Sequence, residues 1–126
     1  MTVQEALQKK VWAVVGATPK PEKFGYKVYT VLKKNGYEVY PVHPNATEID
    51  GSPVYHSVLD LPVVPDVVDL VVGEEPGLKA VAECAEKGVK TMWFQPGADT
   101  PRVLEAAKNA GMNVIQDCVL VRLQFD

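Results

Sequence analysis

The chain has 126 residues with 13 Lys+Arg against 16 Asp+Glu, a formal net charge of −3. That length suits one compact domain over residues 1–126, and 47% hydrophobic against 23% charged residues supplies a core, which excludes disordered and fibrous classes. The acidic balance gives no broad basic field, so binding to nucleic acid or to a membrane surface is not expected, and an anionic ligand must be held locally. Cys84 and Cys118 are too few for a disulfide framework or a zinc site and read as intracellular thiols. The opening Met1–Lys10 has no signal-peptide pattern, and no run approaches the roughly 20 apolar residues of a membrane span.

Apolar runs of strand length alternate with segments of helical periodicity, the pattern of a parallel sheet covered by helices. Val11–Val15 is the first strand, stopped by Gly16. Tyr26, Val28, Tyr29, Leu32 and Lys33 then follow a helical spacing that Asn35 and Gly36 end. Tyr37–Val42 is the second strand, with Pro41 near its end, where a missing N–H costs least. His43 to Gly51 reads as loop, Pro53–Tyr55 as a short third strand, and Ser57 as the cap of a brief helical turn. Val67–Val72 is aliphatic apart from Asp69, as expected of a central strand buried on both faces. Pro76 suits the first position of a helix carrying Leu78, Val81, Ala82 and Ala85, which Gly88 ends. Val89–Phe94 is the fifth strand. Thr100 and Pro101 open a helix that buries Val103, Leu104 and Ala107 and stops at Gly111. Asn113–Ile115 is the sixth strand, and Val119–Phe125 closes the chain.

Five to six strands with right-handed helical crossovers predict a single Rossmann-like, doubly wound α/β sheet in the order 3-2-1-4-5-6. Such sheets bind ligands beyond the carboxyl ends of their strands. The segment Gly16 to Tyr26, with Ala17, Thr18, Lys20, Lys23, Phe24 and Gly25, links the first strand to the first helix, where backbone N–H groups and a helix N-terminus meet phosphate. It satisfies neither the G-x-G-x-x-G nor the P-loop pattern. After the second strand stand Val42, His43 and Pro44, with no carboxylate for a ribose 2′-hydroxyl, which disfavours NAD. His43 and His56 are the chain's histidines, and no nucleophile elbow, His-Glu-x-x-His or Cys-x-x-Cys accompanies them, so neither a catalytic constellation nor a metal site is read. Cys84 lies in a helical pattern and is expected in the core. Cys118 follows the last strand on the ligand side, where it either meets a bound thiol or packs as a small buried residue.

Gly16-Ala17-Thr18-Pro19-Lys20-Pro21-Glu22-Lys23, Gly36 to Pro44, Trp93-Phe94-Gln95 and Asp117-Cys118 together resemble the small single-domain CoA-binding proteins across almost the whole chain. That family is similar to the CoA-binding domain of succinyl-CoA synthetase alpha subunits and ADP-forming acyl-CoA synthetases. The resemblance implies a cytoplasmic protein with coenzyme A or an acyl-CoA as the ligand, and with Gly16, Ala17, Thr18, Lys20 and Lys23 at the phosphates. It also implies Val42, His43 and Pro44 beside the nucleotide, with His where the family has Asn. Gly73 and Pro76 would lie near the adenine, and Trp93, Gln95 and Gly97 near the pantetheine arm. Two departures stand out: Glu74 and Glu75 where relatives carry a basic residue, and Asp117 before Cys118 where relatives have Arg. The functional expectation is stand-alone CoA binding without catalysis. The alternatives are a component of an NADP-dependent or acyl-CoA ligase enzyme, and an interaction protein with a vestigial nucleotide site. An exposed sheet edge leaves room for a homodimer.

Overall fold

The computed structural model describes residues 1–123. Its centre is a parallel sheet of five strands, β1 (Val11–Val15), β2 (Glu38–Val42), β5 (Val67–Leu70), β6 (Thr91–Phe94) and β7 (Asn113–Gln116), in the order β2-β1-β5-β6-β7. The expected order 3-2-1-4-5-6 holds for five of its strands; the third is reduced to one parallel bridge between Tyr55 and Val42, on the outer side of β2. A two-residue hairpin, β3 (Glu48–Ile49) and β4 (Ser52–Pro53), occupies the segment before it. Tyr55 donates its N–H to the Pro41 carbonyl, and His43 donates to the Tyr55 carbonyl. Pro41 thus turns its N–H-less side outward, away from β1, and no bond of the main ladder is lost.

Helices α2 (Phe24–Lys34) and α5 (Val119–Leu123) cover one face of the sheet, over Trp12, Val14, Trp93 and Ile115. Helices α3 (Glu74–Lys87) and α4 (Pro101–Asn109), with a 3₁₀ turn at Val58–Asp60, cover the other, over Ala13, Val68, Leu70, Met92 and Phe94. Strands β5 and β6 are buried along their whole length, as a sheet covered on both faces requires. The turn at Ser57 is capped as expected, its hydroxyl accepting from the Leu59 N–H.

Beyond the third strand and the hairpin, the structure departs from the sequence reading elsewhere, and the fifth strand begins at Thr91 where Val89 was expected. An N-terminal helix, α1 (Val3–Gln8), forms where none was assigned. It is secured by a capping box in which Thr2 Oγ1 accepts from Glu5 N–H and Glu5 Oε1 accepts from Thr2 N–H. Helix α3 begins at Glu74 instead of Pro76, so the proline sits at the third helical position, still within the turn whose N–H groups lack intrahelical partners. The fourth strand ends at Leu70; Val71, whose N–H still donates to the Val15 carbonyl, and Val72 line the end of the sheet. Of Val119–Phe125, residues 119–123 are helical, and Gln124 and Phe125 lie outside the described residues.

Candidate ligand cleft at the strand ends

A cleft of about 570 Å³ opens at the carboxyl ends of β1, β2, β5 and β6. Its walls are Gly16, Thr18, Lys20, Lys23, Phe24 and Gly25 from the β1–α2 loop, and His43 and Pro44 after β2. Val71, Val72, Gly73 and Pro76 come from the entry to α3, and Pro96, Gly97 and Ala98 follow β6. Strand order reverses between β1 and β5, and the loops that follow them diverge to opposite faces, leaving the crevice between.

Glycine makes the β1–α2 wall of the cleft possible. A Cβ on Gly25 would lie 2.0 Å from the Gly16 carbonyl oxygen, so the first turn of α2 rests directly on the end of β1. Gly16 has φ +105°, and a Cβ there would meet the Val71 carbonyl oxygen at 2.8 Å. Backbone therefore meets backbone at two places on the cleft floor, Gly25 against Gly16 and Gly16 against Val71.

Two helices point their N-termini at this space, with opposite electrostatics. The N-cap of α2 is Lys23, no side chain caps the helix, and its first turn holds no acidic residue. The first-turn amides thus stand uncapped beside the ammonium groups of Lys20 and Lys23. The N-cap of α3 is Gly73, also without a side-chain cap, but Glu74 and Glu75 occupy its first turn and offset the positive end of the dipole. Arg102, at the start of α4, lies 3.0 Å from Glu74 and 3.5 Å from Glu75. The acidic pair is thereby tied to a cation on the neighbouring helix, and neither glutamate lines the cleft. Arg102 was invisible to the sequence reading because the pairing spans two helices.

Thr18 Oγ1 accepts from the Lys20 N–H at 3.4 Å, which leaves its own O–H to donate toward a ligand. His43 Nδ1 accepts from the N–H groups of Asn45 at 3.1 Å and Ala46 at 3.0 Å. Partial burial, and then the neighbouring His56 and Lys20, hold the His43 ring below the usual histidine range.

The remaining sequence-selected residues support the cleft from below or beside it. Ala17 and Val42 are buried in the cores of opposite faces. Trp93 is buried against Trp12, and its Nε1 donates to the Asp117 carbonyl. Gln95 is buried, its Oε1 accepting from the Val119 N–H at the start of α5. Cys118 is half-buried and does not line the cleft. Asp117 accepts from the Cys118 N–H and from the Arg122 guanidinium, which holds its carboxyl below the usual range. Cys84 is in the core, and burial pushes its thiol up to about 12. Among the described residues, no group of three or more acidic, His or Cys side chains could hold a metal ion.

Comparison with known proteins gives this cleft its context. The CoA binding domain family matches residues 10–124. The alpha subunit of ADP-forming acetate–CoA ligase II from Pyrococcus furiosus is 36% identical over 119 residues, 85% of this chain. The chain spans only 26% of that relative's length. An uncharacterised Bacillus subtilis protein, YneT, is 28% identical, with 94% of this chain and 90% of the relative covered. Among solved structures, a hypothetical protein from Pyrococcus horikoshii superposes with a TM-score of 0.87 at 35% identity, covering 96% of this chain and 88% of its own. The doubly wound sheet, the cleft at its switch point and these matches place the chain in the CoA binding domain family, related to the alpha-subunit region of ADP-forming acetate–CoA ligases.

Proposed function

We propose that this protein binds coenzyme A or an acyl-CoA in the cleft at the carboxyl ends of β1, β2, β5 and β6, and performs no chemistry on it. The observation that carries this reading is the unneutralised N-terminus of α2. A helix of 11 residues directs free amides and two lysines at the cleft, while the facing helix α3 cancels its own dipole. A pyrophosphate is thereby drawn to the β1–α2 side. Thr18 donates to it, the apolar Val71, Val72 and Pro76 offer a surface for a base, and Pro96–Ala98 border the way out for the pantetheine arm. The carbon-rich walls and few convergent polar groups suit a nucleotide with a long uncharged arm.

Thermal unfolding with CoA, dephospho-CoA, NAD and NADP in parallel tests the reading. CoA at a hundred times its Kd adds about 2.7 kcal/mol of stability by mass action. For a domain of this size the expected rise in Tm is roughly 10 °C. Stabilisation by NADP instead favours the dehydrogenase alternative, and stabilisation by none of the four favours a vestigial site. Lys23→Glu reverses a charge at the phosphate wall, and about a tenfold loss of CoA affinity is expected, shrinking as salt is raised. Arg102→Ala frees Glu74 and Glu75 near the cleft mouth. A loss of roughly two- to threefold is expected, also reduced by salt, because the pair is exposed.

A second reading, a CoA-holding component that works beside a separate catalytic chain, is favoured by the similarity to a ligase alpha subunit of which this chain spans about a quarter. Co-purification of a stoichiometric second chain carrying ligase activity distinguishes it from stand-alone binding.

A further inference from the structure

We propose that His43 is a specificity-determining residue that acts as a neutral Nε2–H donor and selects an uncharged acceptor on the nucleoside part of the ligand, not its phosphate. This rests on the reading of the cleft as a CoA site. Two backbone N–H groups, from Asn45 and Ala46, converge on Nδ1 of His43 at 3.1 and 3.0 Å. A nitrogen that accepts cannot also carry a proton, so the neutral ring holds its proton on Nε2. Forming the imidazolium would put a proton on Nδ1 and forfeit both bonds at once.

The arrangement around the ring reinforces this. Ala46 is gripped from two sides, its N–H by His43 and its carbonyl by His56, whose Nε2 lies 3.2 Å away. The charged or titratable groups facing His43 are Lys20 from the β1–α2 loop and His56 from beyond β4, and both oppose a positive charge on the ring. The cleft wall thus divides its work: Lys20, Lys23 and the α2 N-terminus take anionic oxygens, and His43 takes an acceptor without charge. The positioning half of this role is shared with asparagine, whose Oδ1 makes the same local bonds to the backbone two and three residues on. The donor half is not, because the imidazole carries its N–H further from the backbone than an amide does.

Two experiments test the proposal. A long-range ¹H–¹⁵N spectrum of the ligand-free protein at pH 7 should show a His43 ring protonated on Nε2 alone; an Nδ1–H tautomer or a charged ring overturns it. Calorimetric titrations then compare His43→Asn and His43→Ala with the unsubstituted protein, using CoA and dephospho-CoA between pH 6 and 8. His43→Asn should keep Tm within about 2 °C, because the loop cap survives. It should lose about tenfold in affinity for both ligands, whereas His43→Ala should lose Tm as well. Undiminished affinity in His43→Asn, a loss confined to CoA, or tighter binding by the unsubstituted protein as pH falls overturns the donor role. If the unsubstituted protein binds no CoA, the ligand half falls with the proposed function. The spectrum still decides the tautomer, so the two failures are told apart.

Discussion

Gly25→Ala is expected to lower stability by about 3 kcal/mol or more, a fall in Tm on the order of 10 °C, and to abolish whatever binds in the cleft. The added methyl would sit 2.0 Å from the Gly16 carbonyl oxygen, far inside contact distance, and its obstacle is backbone. No rotamer change relieves such a clash, so α2 must lift from the end of β1. That movement also displaces Lys23 and the uncapped amides from the cleft wall. Circular dichroism melting and calorimetric titration with CoA on the same preparation check both halves. An alanine protein that melts with the parent would show that α2 does not rest on Gly16. Gly36→Ala serves as a contrast. Its Cβ would meet nothing within 4 Å, so only the cost of its positive φ of +87° remains.

Asp69→Asn is expected to stabilise the protein at neutral pH and leave it unchanged in acid. Asp69 is fully buried in the middle of β5, between Val14 of β1 and Trp93 of β6 in the sheet register, and neither carboxyl oxygen has a hydrogen-bond partner. Burial, with a smaller contribution from Cys118, raises its pKa well above the ordinary carboxylate range. The sign follows from which state binds the proton. Because the folded state holds it more tightly, stability is fully present below the unfolded-state pKa, near 4, and is lost as pH rises toward the folded-state value. Each unit between the two values corresponds to about 1.4 kcal/mol at pH above both. Asparagine has nearly the same shape and no proton to lose, so the substituted protein should show a flat stability profile across this window. Urea unfolding from pH 3.5 to 8 reads the difference directly. Parallel profiles for the two proteins would mean that Asp69 is solvated or paired in solution.

Much of this fold was legible because each strand announces itself in the chain. The runs Val11–Val15 and Val67–Val72, the second of which the structure ends as a strand at Leu70, and Gly16, Gly36, Gly88 and Gly111 after strands or helices, are local signals, and the structure uses those glycines at positive φ. The third strand was not legible as a mere bridge, because Tyr55 and its neighbours have strand-like composition but the hairpin at residues 48–53 takes up the chain that a longer pairing would need. Helix α1 escaped notice because a six-residue helix has almost no periodicity, although Thr2 and Glu5 carry its capping signature. Within the cleft, the residues beside loop glycines and strand ends came together as the topology dictates. Trp93 and Gln95 instead face α5, since alternate residues of a buried strand fill the space under a helix before any reach a ligand. The two apparent losses of basic charge were the least legible of all. Arg102 returns charge to Glu74 and Glu75 through a pairing between two helices, and Arg122 returns it to Asp117, five residues earlier, once the turn into α5 brings the two side chains together.

The outward face of Pro41 bears on how much of the β2 margin is open to pairing with another backbone. An open parallel sheet ends in a row of unsatisfied backbone groups that invites edge-to-edge association and, under stress, fibril growth. At the β2 margin that row is interrupted. Proline contributes no N–H there, its carbonyl is already taken by Tyr55, and the neighbouring His43 N–H is taken by the Tyr55 carbonyl. The residual third strand therefore works as a cover strip, sealing the margin with two hydrogen bonds where a full strand would have created a new open margin one place further out. The same strip anchors the far end of the loop that begins at His43, so the segment that caps the β2 margin also holds one wall of the cleft in place.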